Sequence, residues 1–160
     1  MKWVYFSLVC VMLLFAIRRG GAPERAVLAI LAVSDAVDLV YHGIAGPSNF
    51  SRVDYVHLVI DTVTLSGLLW VALGANRFWP LPVCSLQLIG VTSHIAILLG
   101  APGIRGMYWA MITVPHYLQL LVALAGFVAH VRRTEKFGRY RDWRHQWPRP
   151  GLLAPKGSVS

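Results

Sequence analysis

Long apolar stretches, separated by short polar or glycine- and proline-rich segments, dominate the first 131 positions of the chain. Two of these stretches, 78–104 and 106–131, contain no Asp, Glu, Lys or Arg. A helix needs about 20 mostly apolar residues to cross the ~30 Å hydrocarbon layer of a membrane. Both stretches are long enough, and they predict membrane-spanning helices at about 81–100 and 107–131.

Three further apolar stretches predict helices at about 3–17, 26–46 and 53–75. We interpret the first as an uncleaved helix, because Arg18 and Arg19 follow it directly and Pro23 disrupts the small-residue stretch that could resemble a cleavage site. The breaks between helices are rich in Gly, Pro and Asn, which favour turns. The sequence therefore predicts an all-α, polytopic transmembrane helix bundle of about five helices, formed by residues 1–131.

The composition agrees with this fold class. Hydrophobic residues make up 56% of the 160 positions, charged residues only 14%, and the mean hydropathy is +0.57. A soluble domain of this size exposes enough surface to require many more charges. The composition therefore excludes a soluble globular domain and makes the lipid bilayer the first predicted partner.

Basic residues predict the orientation of the bundle. Twelve of the 15 Lys and Arg residues fall on one side of the predicted membrane, in loops one and three and in the tail 132–160. Because cytoplasmic loops carry an excess of Lys and Arg, the N-terminus is expected outside and this basic, aromatic tail in the cytoplasm. The net charge of +8 is then a consequence of topology and does not indicate nucleic-acid binding. The excess of Arg over Lys favours a bacterial chain, and hence a bacterial inner (plasma) membrane.

Polar residues inside the second and third helices form two matching stripes. They are spaced at i, i+3 and i+7 on each helix, and they are Asp35, Asp38, His42, Asp54, His57 and Asp61. This spacing keeps each set within about 60° of helical arc. Ionisable residues are costly in hydrocarbon, so both stripes are expected to face the bundle interior.

Counting outward from the turn near Ser48 aligns the two stripes. The expected layers are Asp35 with Asp61, Asp38 with His57, and His42 with Asp54. Histidines on the fourth and fifth helices, His94 and His116, are expected at a similar depth. The candidate ligand-binding or proton-relay residues are therefore Asp35, Asp38, His42, Asp54, His57, Asp61, His94 and His116.

Several functions fit such a cluster. Our leading prediction is a membrane protein that binds a small ligand or relays protons through paired carboxylates and histidines, acting as an accessory subunit beside a protein partner in the membrane. One alternative is an enzyme that applies acid–base chemistry to a lipid-like substrate. Others are a haem- or metal-binding redox protein and a purely structural polar core. The sequence contains no HExxH motif and no glycine-rich phosphate-binding loop, and it assigns no metal ligand set and no cofactor.

The tail predicts a contact with the membrane surface. Aromatic rings recur there at helical spacing, with arginines between them. In a surface helix the rings would enter the interface and the arginines would bind anionic lipid headgroups. The predicted contact residues are Arg139, Tyr140, Arg141, Trp143, Arg144 and Trp147.

Overall fold

The computed structural model describes residues 2–46, 54–99 and 105–144. These ranges contain five helices, namely α1 (Lys2–Arg19), α2 (Ala22–Ala45), α3 (Tyr55–Gly74), α4 (Pro80–Leu98) and α5 (Arg105–Phe137). No β-strand is present in the described ranges, where a single isolated bridge joins Ala75 to Trp143. The predicted all-α bundle of about five helices is confirmed.

Four of the helices, α2 to α5, are long and apolar enough to cross a membrane. The shorter α1 has 18 residues, ends with Arg18 and Arg19 in its last turn, and is not in that set. Many large apolar side chains point outward, Val63 and Leu121 among them, as lipid-facing residues do. These features support a multi-pass membrane protein.

Local signals set the helix ends. Pro23 lies in the first turn of α2, where its missing N–H removes no hydrogen bond, and the Glu24 carboxylate accepts from the Gly21 N–H at 3.1 Å. Asp54 caps α3 by accepting from the backbone N–H groups of Val56 and His57. At the other end of the chain, α5 continues past the predicted end at position 131 to Phe137.

The helices close into a ring. Each helix packs against its neighbours in sequence, and α5 also contacts α1 and α2. Apolar side chains fill the centre, and Val9, Val27, Leu31, Leu68, Val71 and Val83 are almost completely buried. We call the end formed by residues 35–46 and 54–61 the Asp38 end, and the opposite end, formed by residues 20–25, 74–80 and 130–144, the Arg77 end.

The described part of the tail folds back onto the bundle. Gly138, at a φ of +78°, ends the helical course of α5, so residues 138–144 do not form the surface helix that the ring spacing suggested. The Asn76 N–H donates to the Asp142 carbonyl at 3.0 Å, and the Arg144 N–H donates to the Gly74 carbonyl at 2.9 Å. Trp143 packs over Gly74 and against Trp70. Trp147 lies outside the described residues.

Candidate functional site

Three side chains converge at the Asp38 end. Nε2 of His57 lies 2.6 Å from Oδ1 of Asp38, and Nε2 of His42 lies 3.5 Å from the same oxygen. The two Nε2 atoms are 3.2 Å apart. The side chains of His42, His57 and Asp38 are 12%, 17% and 20% exposed, so the cluster is shielded but within reach of the outside. One ligand atom from each residue lies within 4.8 Å of the others, a spacing that can hold a metal ion.

The far side of each ring is held by an acceptor. Nδ1 of His42 lies 2.7 Å from the Gly46 carbonyl oxygen, and Nδ1 of His57 lies 3.1 Å from Oδ2 of Asp54. The Gly46 carbonyl only accepts hydrogen bonds, so Nδ1 of His42 carries a hydrogen, whereas Nδ1 of His57 lies at ion-pair distance from Asp54 without the geometry of a hydrogen bond. Both Nε2 atoms are thereby directed at Asp38. Two nitrogen lone pairs and a carboxylate oxygen at these distances repel one another unless a proton or a metal ion lies among them.

Asp54 supports this arrangement from α3. Besides capping the helix, its carboxylate accepts from the Tyr41 hydroxyl at 3.0 and 3.1 Å. Burial raises the pKa of Asp54, but the hydrogen bonds from His57 and Tyr41 outweigh burial and lower it below the ordinary aspartate value. Asp54 is therefore an anion that fixes the orientation of His57.

A second chain of hydrogen bonds continues into α4 and α5. Oδ2 of Asp61 lies 3.0 Å from Nε2 of His94, and Oδ1 accepts from the Gln87 amide at 3.0 Å. Nδ1 of His94 lies 2.7 Å from the Tyr108 hydroxyl. The rings of His57 and His94 are stacked with centroids 6.3 Å apart, so the two chains adjoin.

A third pair lies between α2 and α5. Oδ1 of Asp35 is 3.1 Å from Nε2 of His116, whose ring stacks on Tyr5 at 4.1 Å. Oδ2 of Asp35 is buried and has no hydrogen-bond partner in the described part of the chain. The pair thus leaves one buried acceptor unsatisfied.

The observed pairing differs in part from the predicted layers. The Asp38–His57 layer is present, whereas Asp35 and Asp61 each pair with a histidine from another helix and not with each other. The physical reason is that a histidine relieves the desolvation of a buried carboxylate, while a second carboxylate would increase it. The predicted partner of His42, Asp54, is instead bound by Tyr41 and His57.

The Arg77 end contains a cluster that sequence reasoning missed. The Arg77 side chain, 4% exposed, places Nη1 2.8 Å from Glu24 and Nη2 2.7 Å from Asp142. Its Nε donates to the Tyr140 hydroxyl at 3.0 Å, and Nη2 lies 3.1 Å from Nδ1 of His130. We call these five residues the Arg77 cluster. Burial lowers the pKa of Arg77, but the bonds to Tyr140, Glu24 and Asp142 outweigh burial and raise it, so the guanidinium stays charged.

A signal for this cluster was present in the sequence. Glu24 is an acid at the start of a membrane helix, and Asp142 is an acid in a strongly basic segment. Glu24 is completely buried and also accepts from the Trp79 indole at 3.3 Å. A buried acid at one end of the bundle requires a basic partner at the same end, and Arg77 is the loop arginine between α3 and α4.

The eight predicted candidates thus fall into three contact groups at one end of the bundle. These groups are Asp38, His42, His57 and Asp54; Asp61 and His94; and Asp35 and His116. The six predicted surface residues divide differently, since Tyr140, Trp143 and Arg144 contact the protein and Trp147 is not described. No protein family model, curated protein or solved structure matches the chain.

Proposed function

We propose that this multi-pass membrane protein binds a divalent transition metal ion, with zinc as the first candidate, through Asp38, His42 and His57. The observation that carries the proposal is the convergence of two Nε2 atoms on one carboxylate oxygen, with Nδ1 of His42 hydrogen-bonded to the Gly46 carbonyl and Nδ1 of His57 3.1 Å from Asp54. Two histidines and a carboxylate are a common zinc ligand set, and a fourth, open position suits water or a substrate.

The distances suit a tetrahedral ion. Ligands bound at 2.0–2.1 Å to a tetrahedral metal are about 3.3 Å apart. The three separations here are 2.6, 3.2 and 3.5 Å, so small rotations of the side chains bring all three atoms into place.

The surroundings of the ligands support the same function. Metal-binding histidines usually donate their other N–H to a carboxylate or a backbone carbonyl, which fixes the ring and raises its basicity. His57 has Asp54 in this role, and His42 has the Gly46 carbonyl. A cluster that only joined helices would not require both imidazoles to be oriented in this way.

A proton relay is the second candidate function. The path from Asp38 through His57 adjoins the chain of Asp61, His94 and Tyr108, and such groups can pass a proton along hydrogen bonds. In this case His57 carries a hydrogen on each ring nitrogen and donates from Nε2 to Asp38, and no metal ion lies between them.

Metal analysis of the purified protein tests the proposal. We expect one equivalent of Zn²⁺ or Co²⁺ per chain after incubation and desalting, measured by elemental analysis and by the visible absorption of Co²⁺. His57→Ala should bind none, whereas His116→Ala, which alters a separate pair, should bind as the wild type does. Substoichiometric metal in the wild type, combined with proton leakage into liposomes that His57→Gln abolishes, would replace metal binding by the proton relay.

The orientation and the lipid contacts are also proposals. The charge asymmetry supports an external N-terminus and a cytoplasmic tail in a bacterial inner membrane. Exposed Arg139, Arg141 and Arg144 would then meet anionic headgroups on the cytoplasmic side. A fluorescent protein fused after residue 160 should be fluorescent in this orientation, because green fluorescent protein exported unfolded to the periplasm is dark.

A further inference from the structure

Two adjoining hollows lie between α1 and α5 at the Arg77 end. The first is an apolar groove of about 480 Å³, lined by Phe15, Phe127, Val128 and Val131, with Arg18, Arg19 and Arg132 along its edge. The second is a polar hollow of about 510 Å³ that also contacts Arg18, Arg19 and Val131. Because they share these three residues, the hollows adjoin, the apolar one toward the middle of the bundle and the polar one at its end.

The polar hollow is basic. Four arginines line it, and they are Arg18, Arg19, Arg25 and Arg139. Two carboxylates also line it, those of Glu135 and Asp142, and Asp142 lies 2.7 Å from Arg77, which it shares with Glu24. Among the described residues, no ion pair involves Arg18, Arg19 or Arg139. The hollow therefore holds an excess of positive charge that the protein itself does not neutralise.

Thr134 provides an independent indication of a ligand. It lines the polar hollow, and its hydroxyl is buried without a hydrogen-bond partner in the part of the chain that is described. A buried hydroxyl without a partner costs about 1–3 kcal/mol. A ligand oxygen in the hollow would accept from this hydroxyl and remove that cost.

We infer that this double hollow is a binding site for one anionic phospholipid. The phosphate is held by Arg18, Arg19 and Arg139, and an acyl chain lies along Phe15, Phe127 and Val128. Guanidinium groups bind phosphate oxygens with paired hydrogen bonds, and basic pockets between membrane helices suit anionic headgroups. An apolar groove that runs directly into a basic hollow matches a lipid, in which chain and phosphate are joined, better than a free anion.

The site also gives the tail a specific role. Arg139, Tyr140 and Asp142 form one wall of the polar hollow, and the Arg77 cluster holds this wall in place. A tail lying flat on the bilayer would contact many headgroups weakly. A tail fixed by Arg77 instead completes a site for a single lipid.

Lipid titration of the full chain tests this inference. In a detergent that supports the folded protein, phosphatidylglycerol should raise the melting temperature with saturation at one lipid per chain, checked by native mass spectrometry. Phosphatidylcholine and glycerol 3-phosphate should produce no comparable shift at equal concentration. Equal shifts with phosphatidylcholine would overturn the charge recognition, and an equal shift with glycerol 3-phosphate would mean that the site binds a free anion.

Two sets of variants separate the halves of the site. Arg18→Gln with Arg19→Gln should weaken phosphatidylglycerol binding on the order of 30-fold, because two charges near the phosphate are lost. Lys136→Gln removes one exposed charge outside both hollows and should bind as the wild type does. Val128→Trp should block the acyl groove, while Val114→Trp, also on the exposed surface of α5, should not. Unchanged affinity in both Arg18→Gln/Arg19→Gln and Val128→Trp would refute the site.

Discussion

Buried charged and titratable side chains are arranged differently at the two ends of the bundle. At the Arg77 end, one guanidinium is surrounded by two carboxylates, a hydroxyl and an imidazole, so groups of opposite charge meet. At the Asp38 end, two imidazole nitrogens face each other beside a carboxylate. A network of hydrogen-bonded opposite charges holds elements together, whereas two imidazole nitrogens beside a carboxylate oxygen favour a proton or a metal ion between them. The comparison distinguishes a structural cluster from a candidate binding site within one chain.

The two ends also differ in how much of their central side chains is exposed. Arg77 and Glu24 have side chains that are 4% and 0% exposed, so the central ion pair is shielded, although Asp142 at its edge is 28% exposed. Asp54 is 25% exposed and Asp38 20%. A site that loads and releases an ion needs this partial exposure, and a structural ion pair does not.

Removal of Arg77 should have the largest effect. Arg77→Gln leaves Glu24 buried without its charge partner, and we expect a loss of about 3–5 kcal/mol in the free energy of unfolding. Denaturant unfolding in detergent micelles measures it, with exposed Arg141→Gln as the control. The combined variant Glu24→Leu/Arg77→Met should recover part of the loss, and a loss below about 1 kcal/mol for Arg77→Gln would show that the cluster is not structural.

A packing change at the same end should be the next largest. A Cβ added at Gly126 would overlap the indole of Trp79, whose N–H donates to Glu24. We expect Gly126→Ala to cost about 1–3 kcal/mol in the same unfolding experiment. Gly43→Ala is the matched control, since nothing lies within 4 Å of its Cβ position, and equal stability of the two variants would contradict the tight contact.

The third prediction concerns the support of His57. Asp54→Asn keeps a good helix cap but removes the anion behind the imidazole. We expect the affinity for Zn²⁺ to fall about 10- to 100-fold, measured by competition with a chelating dye. Asp54→Ala should lose the cap as well and unfold more readily, whereas an unchanged Zn²⁺ affinity in Asp54→Asn would remove Asp54 from the metal site.

The smallest expected effect is a pH dependence at the Asp38 end. The folded state lowers the pKa of Asp54, so its contribution to stability is complete above the unfolded value of about 3.9 and is lost as the pH falls through the lower folded value. Tyr41→Phe removes the Tyr41 hydroxyl, one of the hydrogen-bond donors that lower this pKa. The melting temperatures of wild type and Tyr41→Phe should therefore differ in full near pH 6 and begin to converge only as the pH falls below about 3.9. Exposed Tyr55→Phe should show no such convergence.

Much of the Asp38 end follows from sequence periodicity. The i, i+3, i+7 spacing predicts that both stripes face the bundle interior. Counting residues outward from the turn between α2 and α3 pairs Asp38 with His57, as the structure does. The partners of Asp35 and Asp61 depended on how the helices are arranged around the ring, and helical periodicity does not determine that order. Periodicity along one helix describes a face, while a contact needs the positions of two helices.

The Arg77 end was harder to predict because its contacts span the chain. Glu24 and Asp142 meet the same guanidinium although 118 positions separate them in sequence. The tail resembled a membrane-surface segment because its many basic residues outweigh Asp142, the acid that pairs with Arg77. Average composition locates a segment at the membrane boundary but does not reveal a single ion pair.

The bond between Arg77 and Asp142 also has a consequence for biosynthesis. A ribosome delivers Glu24 first, Arg77 second and Asp142 near the end of translation. In a nascent chain, Arg77 therefore has Glu24 as its only carboxylate partner from this cluster until the last helix has been inserted. A chain truncated before Asp142 lacks the contact with Arg77. Quality-control proteases should degrade it faster than a chain truncated after Arg144.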